Sequence, residues 1–275
     1  MTAAPASLLA AATAVLRSDS VAAKLAAARA ADGLRRNGAP LGDPSPPPDR
    51  PGRPVKPALV APGEVPKRRL GSPEGRAGLI HAIAHIEFNA IDLAFDMAAR
   101  FTPAICEAGL DGVEFAADWI RVGGEEARHF QLLEARLGDL GCAYGDLPAH
   151  DGLWEAAAAT CHDPLARLAI APLILEARGL DVTPAMIDRL RSAGDIQSTE
   201  ALEIIYRDEI GHVACGKRWY DALCAARKLQ PEEEFHRLRS AHFAGSLKPP
   251  FNHDARAKAG LTRRFYEPIG NENSV

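Results

Sequence analysis

The amino-acid sequence lacks several features that would assign a protein to a class at once. No run of apolar residues approaches the roughly 20 that a membrane-spanning helix requires, and no basic residue precedes the apolar residues 1–16 as in a secretory signal. The five cysteines are an odd number without a C-x-x-C pair, which argues against a disulfide framework and a thiolate zinc site. A basic surplus is absent too, because the formal net charge is −4. We expect a cytoplasmic protein without a membrane partner, and nucleic acid is a disfavoured ligand.

The chain is long enough and apolar enough to bury a core, and its prolines divide it. Of 275 residues, 47% are hydrophobic. Ten of the 21 prolines fall between Pro40 and Pro66, where hydrophobic periodicity is missing. This pattern predicts an N-terminal helical segment over residues 1–36, a proline-rich linker over 37–70, a four-helix bundle over 71–230, and a C-terminal helix with a basic tail over 231–275.

Helical periodicity dominates the region after the linker. Apolar residues recur at steps of three and four, and no alternating run is long enough for a strand. The fold class is therefore predicted to be all-α, with long helices over residues 73–99, 111–137, 163–179 and 198–228. We expect Pro103 to end the first helix, Pro172 to kink the third, and a separate short helix to begin at Thr183 and Pro184.

Two of these helices carry a glutamate and a histidine three residues apart. The pairs are Glu126 with His129 and Glu209 with His212, and residues at this spacing project from one helix face. The other two helices each offer one glutamate in an apolar context, Glu87 and Glu176. Ionised carboxylates on apolar faces are costly unless something compensates for the lost water, and two divalent cations would do so. Four carboxylates and two imidazoles form the ligand set of a dinuclear site inside a four-helix bundle.

With these motifs the sequence resembles the ferritin-like di-iron carboxylate superfamily and, within it, the DUF455 family. The resemblance is carried by H-A-I-A-H-I-E-F-N-A-I-D-L-A, E-E-A-R-H, L-E-A-R-G-L-D-V-T-P and D-E-I-G-H-V. It implies a ferritin-like bundle that binds two metal ions, iron first and manganese as the alternative. The ligands that it implies are Glu87, Glu126, His129, Glu176, Glu209 and His212.

The acid that precedes each E-x-x-H glutamate is a further element of the resemblance. In bacterial multicomponent monooxygenases, which carry D-E-x-R-H pairs, that acid orients a ligand histidine by a hydrogen bond. Glu125 and Asp208 occupy these positions here, and Arg128 matches the arginine of the pattern. Gly211 replaces that arginine in the second pair, so the salt-bridging part of the network is not expected there.

The family resemblance implies a fold and a metal site but no particular reaction. Because two carboxylate-bound irons can each lose an electron to O2, we expect an O2-dependent oxidoreductase, a hydroxylase or oxidase, that acts on a small or carrier-bound substrate with an electron donor. The alternatives are a ferroxidase that handles iron, a tRNA-modifying hydroxylase, and a helical scaffold without metal. Iron storage needs a shell of compact subunits, whereas the N-terminal helices, linker and tail suggest extra surface over one bundle. We therefore expect a monomer or small homo-oligomer with a pocket near Glu87 and Glu176.

Other polar residues have competing interpretations. Tyr206 lies one turn before Glu209 and could approach the metals, although a core tyrosine with a satisfied hydroxyl is the simpler interpretation. His81 and His85 share a helix face but lack a third ligand, which favours packing over zinc. The basic tail, with Arg256 and its neighbours Lys258, Arg263 and Arg264, could dock on the bundle or form a lid or anion site.

Overall fold

A computed structural model describes residues 5–64 and 71–267 of the chain. Three parts of the predicted regions lie outside the described residues. They are residues 1–4 of the N-terminal segment, residues 65–70 of the linker, which include Pro66, and residues 268–275 of the basic tail. Within the described residues the secondary structure is helical and contains no strand beyond an isolated parallel bridge between Leu59 and Ala149. The all-α prediction is confirmed. None of the described helices is long and apolar enough to cross a membrane.

The helices follow one another along the chain with few long connections. Their bounds are α1 Leu8–Arg17, α2 Val21–Arg36, α3 Pro73–Glu107, α4 Gly112–Asp139, α5 Gly152–Ala159, α6 Pro164–Ile170, α7 Ala177–Ser192, α8 Ile196–Ala226, α9 Pro231–His242 and α10 His253–Lys258. A π-helical segment, Ala171–Glu176, joins α6 to α7. Side-chain caps fix three long helices: Ser72 accepts from the Gly75 amide, Asp111 from the Val113 and Glu114 amides, and Asp195 from the Ser198 amide.

The long helices pack around one hydrophobic core. Helix α3 lies along α4, α4 contacts α8, and α8 packs on α7 and the π-helical segment. At Gly123 of α4, an added Cβ would lie 2.6 Å from Cε2 of Phe95, so glycine permits the close approach of α3. These contacts bring the middle of α3, α4 and α8 and the end of the π-helical segment to the same place.

The predicted end of the first long helix at Pro103 is wrong, because α3 continues to Glu107. Proline costs the helix one hydrogen bond and crowds the preceding turn. Here Phe101 and Ile105, on either side of Pro103, are buried in the core. Packing of this apolar face outweighs the local loss, as it commonly does for helices in proteins.

The predicted break between Gly179 and Thr183 is also wrong, since α7 runs continuously from Ala177 to Ser192 with Pro184 inside it. Pro184 has no amide hydrogen to offer the carbonyl of Leu180. That carbonyl instead accepts a hydrogen bond from Nδ2 of Asn252, at 3.2 Å. A residue 72 positions away in sequence therefore satisfies the group that the proline leaves unpaired.

The irregularity expected at Pro172 takes the form of the π-helical segment. Such segments add a residue to a helical turn and often occur at functional sites. The ring of Pro172 packs against Gly216 of α8, where an added Cβ would lie 2.4 Å from the proline Cβ. Glycine at this position lets the π-helical segment approach α8 closely. Glu176 is the last residue of the segment.

The N-terminal helices cover the outer faces of α3 and α4. Lys24 of α2 is fully buried and pairs with the buried Asp92 of α3. Residues 39–61 then cross the surface without helical structure. Arg100 of α3 holds them by donating to the carbonyl of Pro48 at 3.1 Å.

The C-terminal residues 248–256, here called the C-terminal strap, dock on α7. Arg178 donates to the carbonyls of Lys248 and Pro250, at 2.7 and 3.2 Å. Arg256 is buried and donates two hydrogen bonds to Asp181, at 2.8 and 2.7 Å. The docking interpretation of this part of the basic tail is therefore confirmed, and the Arg256 charge is not available to bind an anion.

We expect Arg256→Met to destabilise the protein by about 3 kcal/mol, because it leaves the buried Asp181 carboxylate without its cation. The unfolding midpoint in urea measures the effect. The control is Arg264→Met, whose side chain is 78% exposed beside Glu232 and which should change the unfolding free energy by less than about 0.5 kcal/mol. Equal midpoints for the two variants would contradict an anchoring role for the C-terminal strap.

Candidate metal centre

Four of the predicted site residues meet in one buried group. Glu87 of α3, Glu126 and His129 of α4 and Glu209 of α8 each offer a ligand atom, and these atoms lie within 4.8 Å of one another. Three of the residues are almost completely buried and Glu209 is partly buried. Carboxylate oxygens and an imidazole nitrogen at this separation could hold a metal ion.

One ring nitrogen of His129 faces the two glutamates, and the other faces α8. Its Nδ1 lies 3.3 Å from Oε2 of Glu87 and 3.2 Å from Oε2 of Glu126. Its Nε2 lies 3.1 Å from Oδ2 of Asp208, on α8. The acid that precedes Glu209 therefore contacts the histidine of the other E-x-x-H pair.

His212 repeats this arrangement with the helices exchanged. Its Nδ1 lies 2.9 Å from Oε1 of Glu126 and 3.6 Å from Oε1 of Glu209, and its Nε2 lies 2.9 Å from Oε2 of Glu125 on α4. The two acids at the predicted orienting positions thus bond to the two histidines across the helix interface. Such partners fix the tautomer and the ring orientation of a metal-binding histidine.

Arg128, which matches the arginine of the D-E-x-R-H pattern, has only a minor contact with Glu125. Arg128 is 60% exposed and its guanidinium lies 3.8 Å from Glu125. Arg121, one turn before Glu125 on α4, donates to Glu125 at 2.7 Å. Arg121 is not among the predicted site residues, although its spacing of four residues from Glu125 is a signal for a helical ion pair.

Glu176 borders the group without belonging to the four residues that converge most closely. It lines a cavity together with Glu87, Glu126 and Glu209. Among the described residues, its Oε2 is a buried atom without a hydrogen-bond partner, and Oε1 of Glu126 and Nδ1 of His212 lie 2.9 Å apart beside it. Buried polar atoms are normally hydrogen-bonded. An unpartnered carboxylate oxygen next to closely spaced ligand-type atoms fits a site that a cation completes.

The charges of the metal-free site are strongly perturbed. Burial raises the pKa of Glu176 to about 8, with added repulsion from Glu209 and Glu126, and burial also raises the pKa of Glu87. Burial alone would raise the pKa of Glu126 too, but the charges of His212 and His129 lower it. Burial would lower the pKa of His129, yet its bonds to Glu126 and Glu87 raise it to about 11. A divalent cation that bound to this cluster would displace protons from it.

A cavity of about 200 Å³ lies directly beside the carboxylates. Apolar side chains from α3, the π-helical segment, α7 and α8 form most of its wall, among them Ile83, Leu93, Leu175, Met186, Leu202 and Ile205. Ile86 also lines it and is 48% exposed, so the cavity reaches the surface there. The predicted pocket near Glu87 and Glu176 is present.

Tyr206, His85 and His81, the residues with competing interpretations, bond to partners outside the buried cluster. The hydroxyl of Tyr206 accepts from Nδ2 of Asn252 at 2.8 Å, in the C-terminal strap. His85 contacts the Tyr144 hydroxyl at 2.9 Å and the His150 carbonyl at 3.1 Å, and burial lowers its pKa to about 4. His81 accepts from the Gly145 amide at 2.9 Å. Both histidines hold the connection between α4 and α5 against α3.

The fold and the cluster define a class of protein, and comparison with known proteins gives the family. The class is a helical protein with a buried glutamate and histidine cluster that could bind metal. The model of the family described as "Protein of unknown function (DUF455)" matches residues 17–267, and the chain belongs to that family. The chain is 47% identical over 210 residues to an "Uncharacterized protein" from Haemophilus influenzae (strain ATCC 51907 / DSM 11121 / KW20 / Rd), covering 76% of this chain and 73% of the relative. No solved structure matches the chain.

For the metal-free protein, we expect the unfolding free energy to fall as the pH rises from about 4.5 to 8. The folded state keeps a proton on Glu176 up to about pH 8, whereas the unfolded chain releases it near its ordinary value of 4.5, so raising the pH through this window favours unfolding. One such group contributes a slope of up to about 1.4 kcal/mol per pH unit. Urea unfolding across the window measures it.

Glu176→Gln should flatten this slope, because the amide cannot ionise. The control Glu203→Gln removes a carboxylate that is 49% exposed on α8 and should keep the wild-type slope. Parallel slopes for wild type and Glu176→Gln would contradict a raised pKa at Glu176.

Proposed function

We propose that the buried cluster binds two divalent metal ions, iron first and manganese as the alternative, and that the protein is an O2-dependent oxidoreductase. The observation that carries the proposal is the convergence of Glu87, Glu126, His129 and Glu209, with His212 in contact with this group and Glu176 beside it. In the described part of the chain, Oε2 of Glu176 is buried there without a hydrogen-bond partner. The proposal includes a ferritin-like arrangement of α3, α4, α8 and the helical stretch that carries Glu176.

The proposed ligands are Glu87, Glu126, His129, Glu176, Glu209 and His212. Glu126 would contribute one oxygen on each side of the site, because its Oε2 faces His129 and its Oε1 faces His212. The charge of the ligand set supports two ions. Four ionised carboxylates with two neutral histidines carry −4, which two divalent cations balance, whereas one ion leaves two buried negative charges uncompensated.

The residues around the site support chemistry with O2. Two iron ions held by these six residues would supply electrons for the reductive activation of O2. In a hydroxylation, one oxygen atom enters a substrate C–H bond and the other leaves as water, with two electrons and two protons from an external donor. The apolar cavity excludes water and presents a substrate beside Glu87, Glu126 and Glu209. Glu125 and Asp208 hold the two histidines during turnover.

The alternative functions have less support. A ferroxidase of the storage type assembles compact subunits into a shell, whereas α1 and α2 cover α3 and α4 here. A tRNA-modifying hydroxylase needs a basic surface, yet the net charge is −4 and Arg256 is buried against Asp181. A small or carrier-bound substrate remains our proposal.

Metal analysis tests the site itself. We expect about two metal ions per chain in protein purified without chelator, and background metal in the double variant Glu126→Ala with His212→Ala. The matched control removes two exposed carboxylates from the same helices, Glu114→Gln on α4 and Glu203→Gln on α8. Unchanged metal content in the first double variant would contradict the assignment.

Iron loading in air distinguishes the enzyme from the iron store. We expect size-exclusion chromatography to give a monomer or small oligomer whose iron content stops near two per chain, with O2 uptake that increases when a reductant is added. A large shell that holds many irons per chain would contradict the oxidoreductase proposal and support iron storage. Chains that neither load iron nor consume O2 would contradict both.

A further inference from the structure

We propose that the cavity beside the carboxylates binds an uncharged, apolar molecule or group of roughly eight carbon atoms, and that this is the substrate site. The inference rests on the proposed function for the reaction that follows binding. The ligand class is inferred from the size of the cavity, the side chains of its wall and the charges around it, and this inference does not require that metal is bound.

The volume of the cavity limits the ligand. A cavity of about 150 Å³ lined by aliphatic and aromatic side chains is enough to bind benzene. The present cavity of about 200 Å³ therefore accommodates roughly eight carbon atoms. A polycyclic or macromolecular substrate could insert only one compact group.

Most of the cavity wall lacks side chains that could hydrogen-bond to a polar ligand. Apart from the carboxylates, the polar side chains among its described lining residues are Thr183 and Arg178. Arg178 already donates to the carbonyls of Lys248 and Pro250 and lies 3.4 Å from the Asp181 carboxylate. The only lining cation in the described chain is thus engaged by the C-terminal strap and a neighbouring acid. A ligand anion would compete with these contacts.

The inner end of the cavity offers no free positive charge either. Glu87, Glu126, Glu176 and Glu209 line it on one side and already balance the two proposed divalent ions. An anion brought beside them would lose its hydration without gaining a counter-charge. An uncharged apolar group instead gains from leaving water along the isoleucine, leucine and methionine side chains.

Isothermal titration calorimetry with 1-octanol and sodium octanoate tests the ligand class on protein that has been incubated anaerobically with iron(II). We expect 1-octanol to bind at least about tenfold more tightly than octanoate, because only octanoate must bury a carboxylate. Octanoate binding as tightly as 1-octanol, or more tightly, would overturn the inference and indicate that Arg178 recognises an anionic head group. No binding of 1-octanol would overturn it too.

Two variants locate the binding. Ile86→Glu places a charge at the cavity opening and should weaken 1-octanol binding about tenfold. The control is Ile196→Glu at the start of α8, where the isoleucine is exposed to a similar degree. This control should change 1-octanol binding by less than about twofold. Ala90→Leu adds three carbons to the cavity wall and should shift the preference from 1-octanol towards 1-pentanol. Equal effects of the two glutamate variants, with an unchanged preference in Ala90→Leu, would place the ligand elsewhere and overturn the inference.

Metal analysis of the same samples separates this inference from the proposed function. A chain that loads two metals but does not bind 1-octanol overturns the ligand class alone. A chain that binds 1-octanol at this cavity but loads no metal supports the ligand class and contradicts the proposed function.

Discussion

The burial of charged ligand-type side chains is the constraint on which the rest of the structure depends. Glu87, Glu126, His129 and His212 are almost completely removed from water in the middle of three long helices. Charges in such a place are tolerated only when they are paired or coordinated. Each histidine therefore contacts carboxylates with both ring nitrogens, and the bonds from Asp208 and Glu125 cross between α8 and α4. The metal cluster that we propose would replace shared protons as the element that neutralises the remaining charge.

The surrounding fold supplies the positions that this arrangement needs. Gly123 lets α3 approach α4, and Gly216 lets the π-helical segment approach α8 through Pro172. The C-terminal strap then fastens α7, since Asn252 bonds to the carbonyl that Pro184 leaves unpaired. Helices α1 and α2 cover the outside of α3 and α4. The position of the proposed ligand Glu176 thus depends on Gly216 and Asn252, which are distant from it in sequence.

Sequence reasoning reached the helical class, the convergence of Glu87, Glu126, His129 and Glu209, and the pocket beside them, because helical spacing places these residues on definite faces. It failed where long-range packing decides the outcome. On local grounds Pro103 should end a helix and Pro184 should begin a new one, but core packing and Asn252 override these preferences. Glu125 pairs with His212 across two helices, so predicting this pair requires the rotation of α4 relative to α8. The spacing of residues along one helix gives no information about that rotation. The exact placement of Glu176 likewise depends on the π-helical segment.

The most direct test of the central claim is X-ray diffraction from crystals of the iron-loaded protein, with anomalous scattering measured at the iron absorption edge. The account predicts two anomalous peaks inside the cluster, separated by about 3.5–4 Å. One peak should lie beside Nδ1 of His129 and the other beside Nδ1 of His212. Fully loaded crystals with no peak among Glu87, Glu126 and Glu209, or with iron bound only elsewhere on the chain, would contradict it.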